Sequence, residues 1–383
     1  MTLKSWWAAI PVVVGLLCPG PVFGQSDDTE VRRLTGAEHW RTDFSRRSVP
    51  LSEIVSGGPP RDGIPPIDHP RFESAAQADR WLDDRHPVIV VEAEGVAKAY
   101  PLGILIWHEI VNDEVGGLPV TVTYCPLCNT ALVFDRRLGG RVLDFGTTGR
   151  LRQSDLVMYD RQTETWWQQA IGEAIIGELV GQALTAVPAN TLGWETARSL
   201  YPDVRVLSRD TGFPDYEASG RYGQNPYTDY DMRRGPIPGF FSGKIPGDLR
   251  AMERVVAVDV GAGWAVGFGD LDDDGVVNTT FEGVDFVVLW QKGASSALHR
   301  PSVSGGRDIG QTAVFDRQLG ERTLTFERRD GQFRDKETGS TWSLGGVALE
   351  GPLSGERLTP IAHGNHFWFA WIAFRPDTEL WKD

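Results

Sequence analysis

The sequence predicts a mainly β fold, a β-rich α+β arrangement of two tandem pseudo-repeat units with short helices. Three observations carry that expectation. Runs rich in Val, Ile, Thr and aromatic residues recur at short intervals, bounded by Gly, Asp and Asn. Helical signals are confined to short segments, Ala75–Asp83 and Thr191–Leu200, the second stopped by Pro202. The same order of motifs appears twice along the chain, as expected of an internal duplication.

The elements follow in order. PVIVVEAEG and VAKAYP read as a hairpin turning at Glu94-Gly95, and LPVTVTY is a β-branched strand. ALVFDRRLGGRVLDFG reads as two strands joined at Gly139-Gly140, and LVMYDRQTETWWQQ as a hairpin turning near Gln162–Glu164. VTYCPLCNTAL at 122–132 aligns without gaps to VLWQKGASSAL at 288–298, and TALVFDRRLGGRVLDF at 130–145 matches TAVFDRQLGERTLTF at 312–326. YDRQTETWW is echoed by RDKETGSTW at 334–342, IIGELVGQALT by LEGPLSGERLT at 349–359, and LGWETARSLYPD at 192–203 by HFWFAWIAFRPD at 366–377. The expected division is a signal segment at 1–24, a loosely structured arm at 25–86, unit one at 87–207, a linker at 208–250 that packs through its aromatics, and a degenerate unit two at 251–383.

With 383 residues, 41% of them hydrophobic and 23% charged, the chain has the composition of a globular protein with sizeable cores. A net charge of −14 argues against nucleic acid and anionic membranes as partners, since both need clustered Lys and Arg. Lys4 precedes an apolar run from Trp6 to Leu17, and Val22-Phe23-Gly24 supplies small residues before Gln25. This is a signal-peptide pattern and implies export to a periplasmic or extracellular compartment, without membrane insertion after cleavage. Leu17 is too large to make Cys18 a good lipidation site. Cleavage after Gly24 removes Cys18 and leaves two cysteines, Cys125 and Cys128.

That CPLC pair is the expected reaction centre. A disulfide closing so short a loop removes only about 2 kcal/mol of chain entropy, against about 4.7 for a 100-residue loop, so a staple is a poor use of it. Thiol–disulfide or peroxide-type redox chemistry is the leading expectation, with His108 as the group that tunes the thiols and an unidentified redox partner or small molecule as substrate. No cofactor is needed for that reading. The alternative is a metal- or ligand-binding module without turnover, in its metal form a copper or zinc site with Cys125, Cys128 and His108 as ligands. In the second copy Gln291 and Ala294 face the two cysteines, so one unit is expected to work while its twin supports or binds.

Two other features stand beside it. GDLDDDGVVNTTFE at 269–282 spaces Asp270, Asp272, Asp274 and Gly275 like a calcium loop, but position twelve is Phe281, and an Asp-rich turn is the better reading. Glu109 and Asp113 flank His108 as an acid/base group, yet no nucleophilic serine motif accompanies them.

AYPLGILIWHEIVNDEVGGLPVTVTYCPLCNTALVFDR, SDLVMYDRQTETWWQ, LSRDTGF and RYGQNPYTDYD together resemble the bacterial domain-of-unknown-function 3179 family, from about residue 87 to 383. Some members of that family are described as selenoproteins. The resemblance therefore implies selenocysteine chemistry at the position of Cys125 or Cys128 and favours redox work over a staple. The family usually carries Gly or a small residue where this chain has Asn129.

Overall fold

The computed structural model describes residues 25–272 and 274–382; the expected signal segment, with Cys18, lies outside the described residues. Strands hold 39% of the chain and helices 14%, so the fold is mainly β. The arm is more ordered than its composition implies. It forms α1 (Gln25–Thr35), β1 (Ile54–Ser56), β2 (Phe72–Ser74) and α2 (Ala75–Ala78). Its Leu34, Trp40, Phe44, Leu51 and Ile54 close a core with Val157, Tyr159, Trp166 and Ile176. Pro and Gly punctuate this arm but do not loosen it, because its aromatics are buried and β1 pairs with a strand of the body. The expected helix at Ala75–Asp83 ends at Ala78, and turns follow.

The first half runs β3 (Pro87–Ala93), β4 (Val96–Pro101), α3 (Leu102–His108), β5 (Ile110–Val115), β6 (Leu118–Cys125), β7 (Thr130–Asp135), β8 (Arg137–Leu138), β9 (Arg141–Val142), β10 (Phe145–Arg152), β11 (Asp155–Asp160), β12 (Trp166–Gln168), β13 (Glu173–Ile176), β14 (Ala189–Gly193), α4 (Trp194–Leu200) and β15 (Arg205–Leu207). The Glu94-Gly95 turn joins β3 to β4 with both residues at positive φ, as a two-residue hairpin requires. Thr191–Gly193, expected to be helical, ends β14 instead: pairing with Ile89, Val88 and Pro87 of β3 decides it. Short α5 (Pro214–Ala218) lies in the linker, whose Tyr222, Tyr227, Phe240 and Phe241 pack on the main core with Tyr230 buried.

The second half repeats that order as β16 (Arg254–Val258), β17 (Trp264–Gly267), α6 (Phe268–Leu271), β18 (Val276–Phe281), β19 (Val284–Gln291), β20 (Gln311–Asp316), β21 (Gln318–Leu319), β22 (Arg322–Thr323), β23 (Phe326–Arg329), β24 (Gln332–Asp335), β25 (Thr341–Trp342), β26 (Ala348–Glu350), β27 (Gly364–Phe367), α7 (Trp368–Ile372) and β28 (Glu379–Leu380). Even the pairing sense matches: β14 joins β3 antiparallel and β15 joins β4 parallel, as β27 joins β16 and β28 joins β17. The halves are not separate bodies, since β14 lies against β20 and β27 against β7. Val88 and Val90 of β3 meet Val287, Leu289 and Phe315 of the second half, while Ile89 and Val91 face the first-half core. A strand covered on both faces reads as a continuous apolar run, which is why PVIVV does not alternate.

Candidate functional site

The CPLC sequence occupies the tip of the β6–β7 hairpin, where Cys125 pairs with Thr130. Pro126, with its fixed φ and no N–H to satisfy, opens a single 3-10 turn over Pro126–Cys128. Asn129 closes the turn at φ +52°, a left-handed position that Gly or Asn fills with least strain. The Tyr230 hydroxyl donates to the Leu127 carbonyl at 3.0 Å, and the Thr130 hydroxyl to the Cys128 carbonyl at 3.3 Å.

A second hairpin tip meets the first. β10 and β11 are joined by Gln153 and Ser154, at φ +52° and +69°. The linker clamps this turn: Ser154 N–H donates to the Phe240 carbonyl at 2.7 Å, and the Gln153 side-chain carbonyl accepts from the N–H groups of Ser242 and Gly243, each at 3.0 Å. The Cys125 thiol lies 3.7 Å from the Ser154 carbonyl, and Asp155 follows at once. Cys125 Sγ, Cys128 Sγ and an Asp155 carboxylate oxygen all lie within 4.8 Å of one another, and all three residues are buried. Asp155 Oδ2 accepts from Gln168 Nε2 at 2.6 Å and Ala170 N–H at 2.9 Å, while Oδ1 has no nitrogen or oxygen donor and the two thiols are the carboxyl's other neighbours.

Burial controls the electrostatics. It pushes the Asp155 carboxyl up to about 6, despite hydrogen bonds from Gln168, Ala170 and the two thiols that act the other way. Glu109 is pushed up to about 8, first by burial and then by the Asp155 charge. Burial raises both thiols, Cys128 furthest, and neighbouring Asp155 adds to the effect. The thiols face carboxyl groups, with no cation paired to them, so the site favours either neutral groups or a bound positive ion.

Of the residues expected from sequence, Cys125 and Cys128 come together and His108 goes elsewhere. It ends α3, with Nδ1 donating to the Pro65 carbonyl at 2.7 Å and Nε2 accepting from the Tyr222 hydroxyl at 2.8 Å. Both ring nitrogens are thus occupied, and burial lowers its pKa to about 4. The third member of the cluster is Asp155, and the acid that couples to Cys125 from the WHEIVND segment is Glu109. Asp113 is remote from that role, bound to Lys98 at 2.9 Å and the Tyr100 hydroxyl at 2.6 Å. Asp270 lies in α6 and Asp272 caps it; among the described residues these aspartates form no metal-holding group.

The second half shows what the first has added. Trp167 Nε1 donates to Asp160 at 3.0 Å, and Trp342 Nε1 to Asp335 at 2.9 Å, so these two hairpins correspond bond for bond. From Phe145 to Asp160 the first hairpin is longer than its counterpart from Phe326 to Asp335. The extension carries Ser154 and Asp155 to the thiols. This length difference between copies is the sequence signal that could have found Asp155.

Comparison with curated proteins and with solved structures finds no match. The family model described as protein of unknown function (DUF3179) matches residues 61–378, and the chain belongs to that family.

Proposed function

We propose that Cys125, Cys128 and Asp155 form a buried site for a thiophilic cation, zinc or copper(I), in a protein exported from the cytoplasm. The carrying observation is the cluster itself, whose two sulfurs and one Asp155 carboxylate oxygen lie within 4.8 Å of one another, with no nitrogen or oxygen donor on Asp155 Oδ1. Ligands of one tetrahedral zinc sit about 2.0–2.3 Å from it, so a small closure of these side chains suffices. The direction of the thiol shifts supports the same reading. A nucleophilic thiolate needs a lowered pKa and a positive neighbour; here burial and carboxyls raise both thiols, and a cation would reverse that by displacing their protons. Two thiolates and one carboxylate leave a fourth position open for a ligand or water. The signal-like N-terminus is what supports export.

The test is elemental analysis of mature protein purified without chelator. About one zinc or copper per chain is expected, lost in Cys128→Ser and lowered in Asp155→Asn. Metal-free wild type, or equal metal in the Cys125→Ser/Cys128→Ser double variant, sinks the proposal. A second reading, a cycling dithiol, is supported by the closeness of the two sulfurs, which lie within 4.8 Å of each other. It requires a reduction potential between roughly −270 and −120 mV, and a mixed disulfide trapped on Cys125 in Cys128→Ser.

A further inference from the structure

In the second half the loop equivalent to CPLC has expanded to residues 292–310, between β19 and β20. One product of this expansion is a cavity of about 360 Å³ that Arg307 lines together with Arg233, Arg234 and Arg250. Asp231 is the single carboxylate on that wall; its Oδ2 is engaged, and its Oδ1 is buried without a hydrogen-bond partner. Its Oδ2 accepts from Arg254 Nη2 at 3.1 Å and from the Ser296 hydroxyl at 2.7 Å, with Arg307 Nη2 at 3.2 Å. Arg250 is paired with Glu253 at 2.9 Å. Asp308 faces the adjoining cleft and is held by the N–H groups of Gly293 and Gly310.

The remaining charge is unbalanced. Arg233 bonds only the Gly235 carbonyl, at 3.3 Å, and its guanidinium lies 5.9 Å from the Tyr230 ring centre. Arg234 is exposed and has no hydrogen bond or ion pair among the described residues. Four guanidinium groups thus line the cavity with one carboxylate, Asp231, while Glu253 pairs with Arg250 alongside, in a chain whose net charge is −14. A protein that is acidic overall has no solubility reason to concentrate arginine in one concavity. Arginine forks are the side chains that match planar or tetrahedral oxyanions with paired hydrogen bonds.

The geometry points to a binding site, formed by Arg233, Arg234, Arg250 and Arg307, for a multiply charged oxyanion of the phosphate or sulfate class, free or as the end-group of a larger molecule. This site is independent of the metal reading. The two are joined through one segment: Tyr230 holds the CPLC turn by its bond to Leu127, and the four residues after it line the cavity.

Isothermal titration of the full mature chain with inorganic phosphate and with sulfate, in low-chloride buffer, tests the inference. One-to-one binding is expected, weakening as sodium chloride is added. Arg233→Gln and Arg234→Gln should each weaken it about tenfold, as expected for loss of one charge-assisted contact. Met232→Glu, which adds a negative charge at an exposed position on the same wall, should abolish it, and Arg329→Gln, on exposed β23, should leave it unchanged. Glycerol phosphate separates the sources: tighter binding than phosphate assigns the end-group of a larger molecule, equal or weaker binding assigns the free ion. No binding, binding unaffected by the cavity variants, or an equal loss in Arg329→Gln overturns the inference. Metal content should stay constant across these variants, so failure of the metal assay and failure of the titration are distinguishable.

Discussion

The thiol of Cys125 lies 3.7 Å from the carbonyl oxygen of Ser154, the residue that precedes Asp155. Two hairpin tips of the first half therefore meet at one point, and each supplies part of the cluster. That relationship makes Asp155 the residue to change first. Asp155→Asn preserves shape and the bonds from Gln168 and Ala170 but removes the anionic ligand. Metal affinity is expected to fall at least about tenfold, with the circular-dichroism spectrum unchanged. Undiminished affinity in a competition titration would remove Asp155 from the site.

His108→Ala separates a structural from a tuning role. Its ring bridges Pro65 and Tyr222, so the loss should cost about 1–3 kcal/mol in urea unfolding while metal content stays at wild-type level. Loss of metal without loss of stability would restore His108 to the reaction centre.

Ser154→Gly should stabilise the protein by about 1 kcal/mol. Ser154 sits at φ +69° with a buried, unpartnered hydroxyl. At the equivalent turn the second half uses Gly331, at φ +80°. The Ser154 N–H bond to Phe240 survives the change, and a lowered urea midpoint would contradict the expectation.

The arm should prove integral to the body. Trp40 meets Tyr159 and Trp166 edge-to-face, each with ring centres 5.0 Å apart. Trp40→Ala is expected to destabilise by about 3 kcal/mol, as for a core aromatic. A cost near zero would return the arm to the loose wrapping its composition implies.

Acid should destabilise the metal-free chain. Burial lowers His86, His108 and His363 to about 4 and His366 to about 3. As pH falls from about 6.5 to about 4, the unfolded chain takes up protons that these folded imidazoles refuse, and stability is lost. Glu109 and Asp155 act oppositely, because the folded chain holds their protons at higher pH than the unfolded chain does. Four imidazoles outweigh two carboxyls, leaving a net loss on the order of 1–2 kcal/mol per pH unit between pH 6.5 and 5. Urea midpoints at pH 6.5 and 5 check the sign, and a rising midpoint at the lower pH would refute it.

By itself the sequence determined the mainly β class, the β3–β4 turn at Glu94-Gly95, the doubled order of motifs and the place of the thiols. Those features rest on local signals: β-branched runs, turn residues with the required φ, and a CPLC motif confined to one copy. Tertiary structure alone decided the rest. Asp79–Asp83 and Thr191–Gly193 left the helices expected of them, because turn formation and strand pairing outweigh weak local propensity. The arm became ordered because Trp40 and Phe44 found a partner in Trp166, more than a hundred residues away. His108 looked like the thiols' neighbour because sequence distance was the only distance visible. The chain instead turns sharply at Glu109, whose φ is +59°, so that His108 is held by Pro65 and Tyr222 while Glu109 couples to Cys125. Asp155 reached the cluster only through a longer hairpin, and no local pattern records where the tip of a hairpin will land.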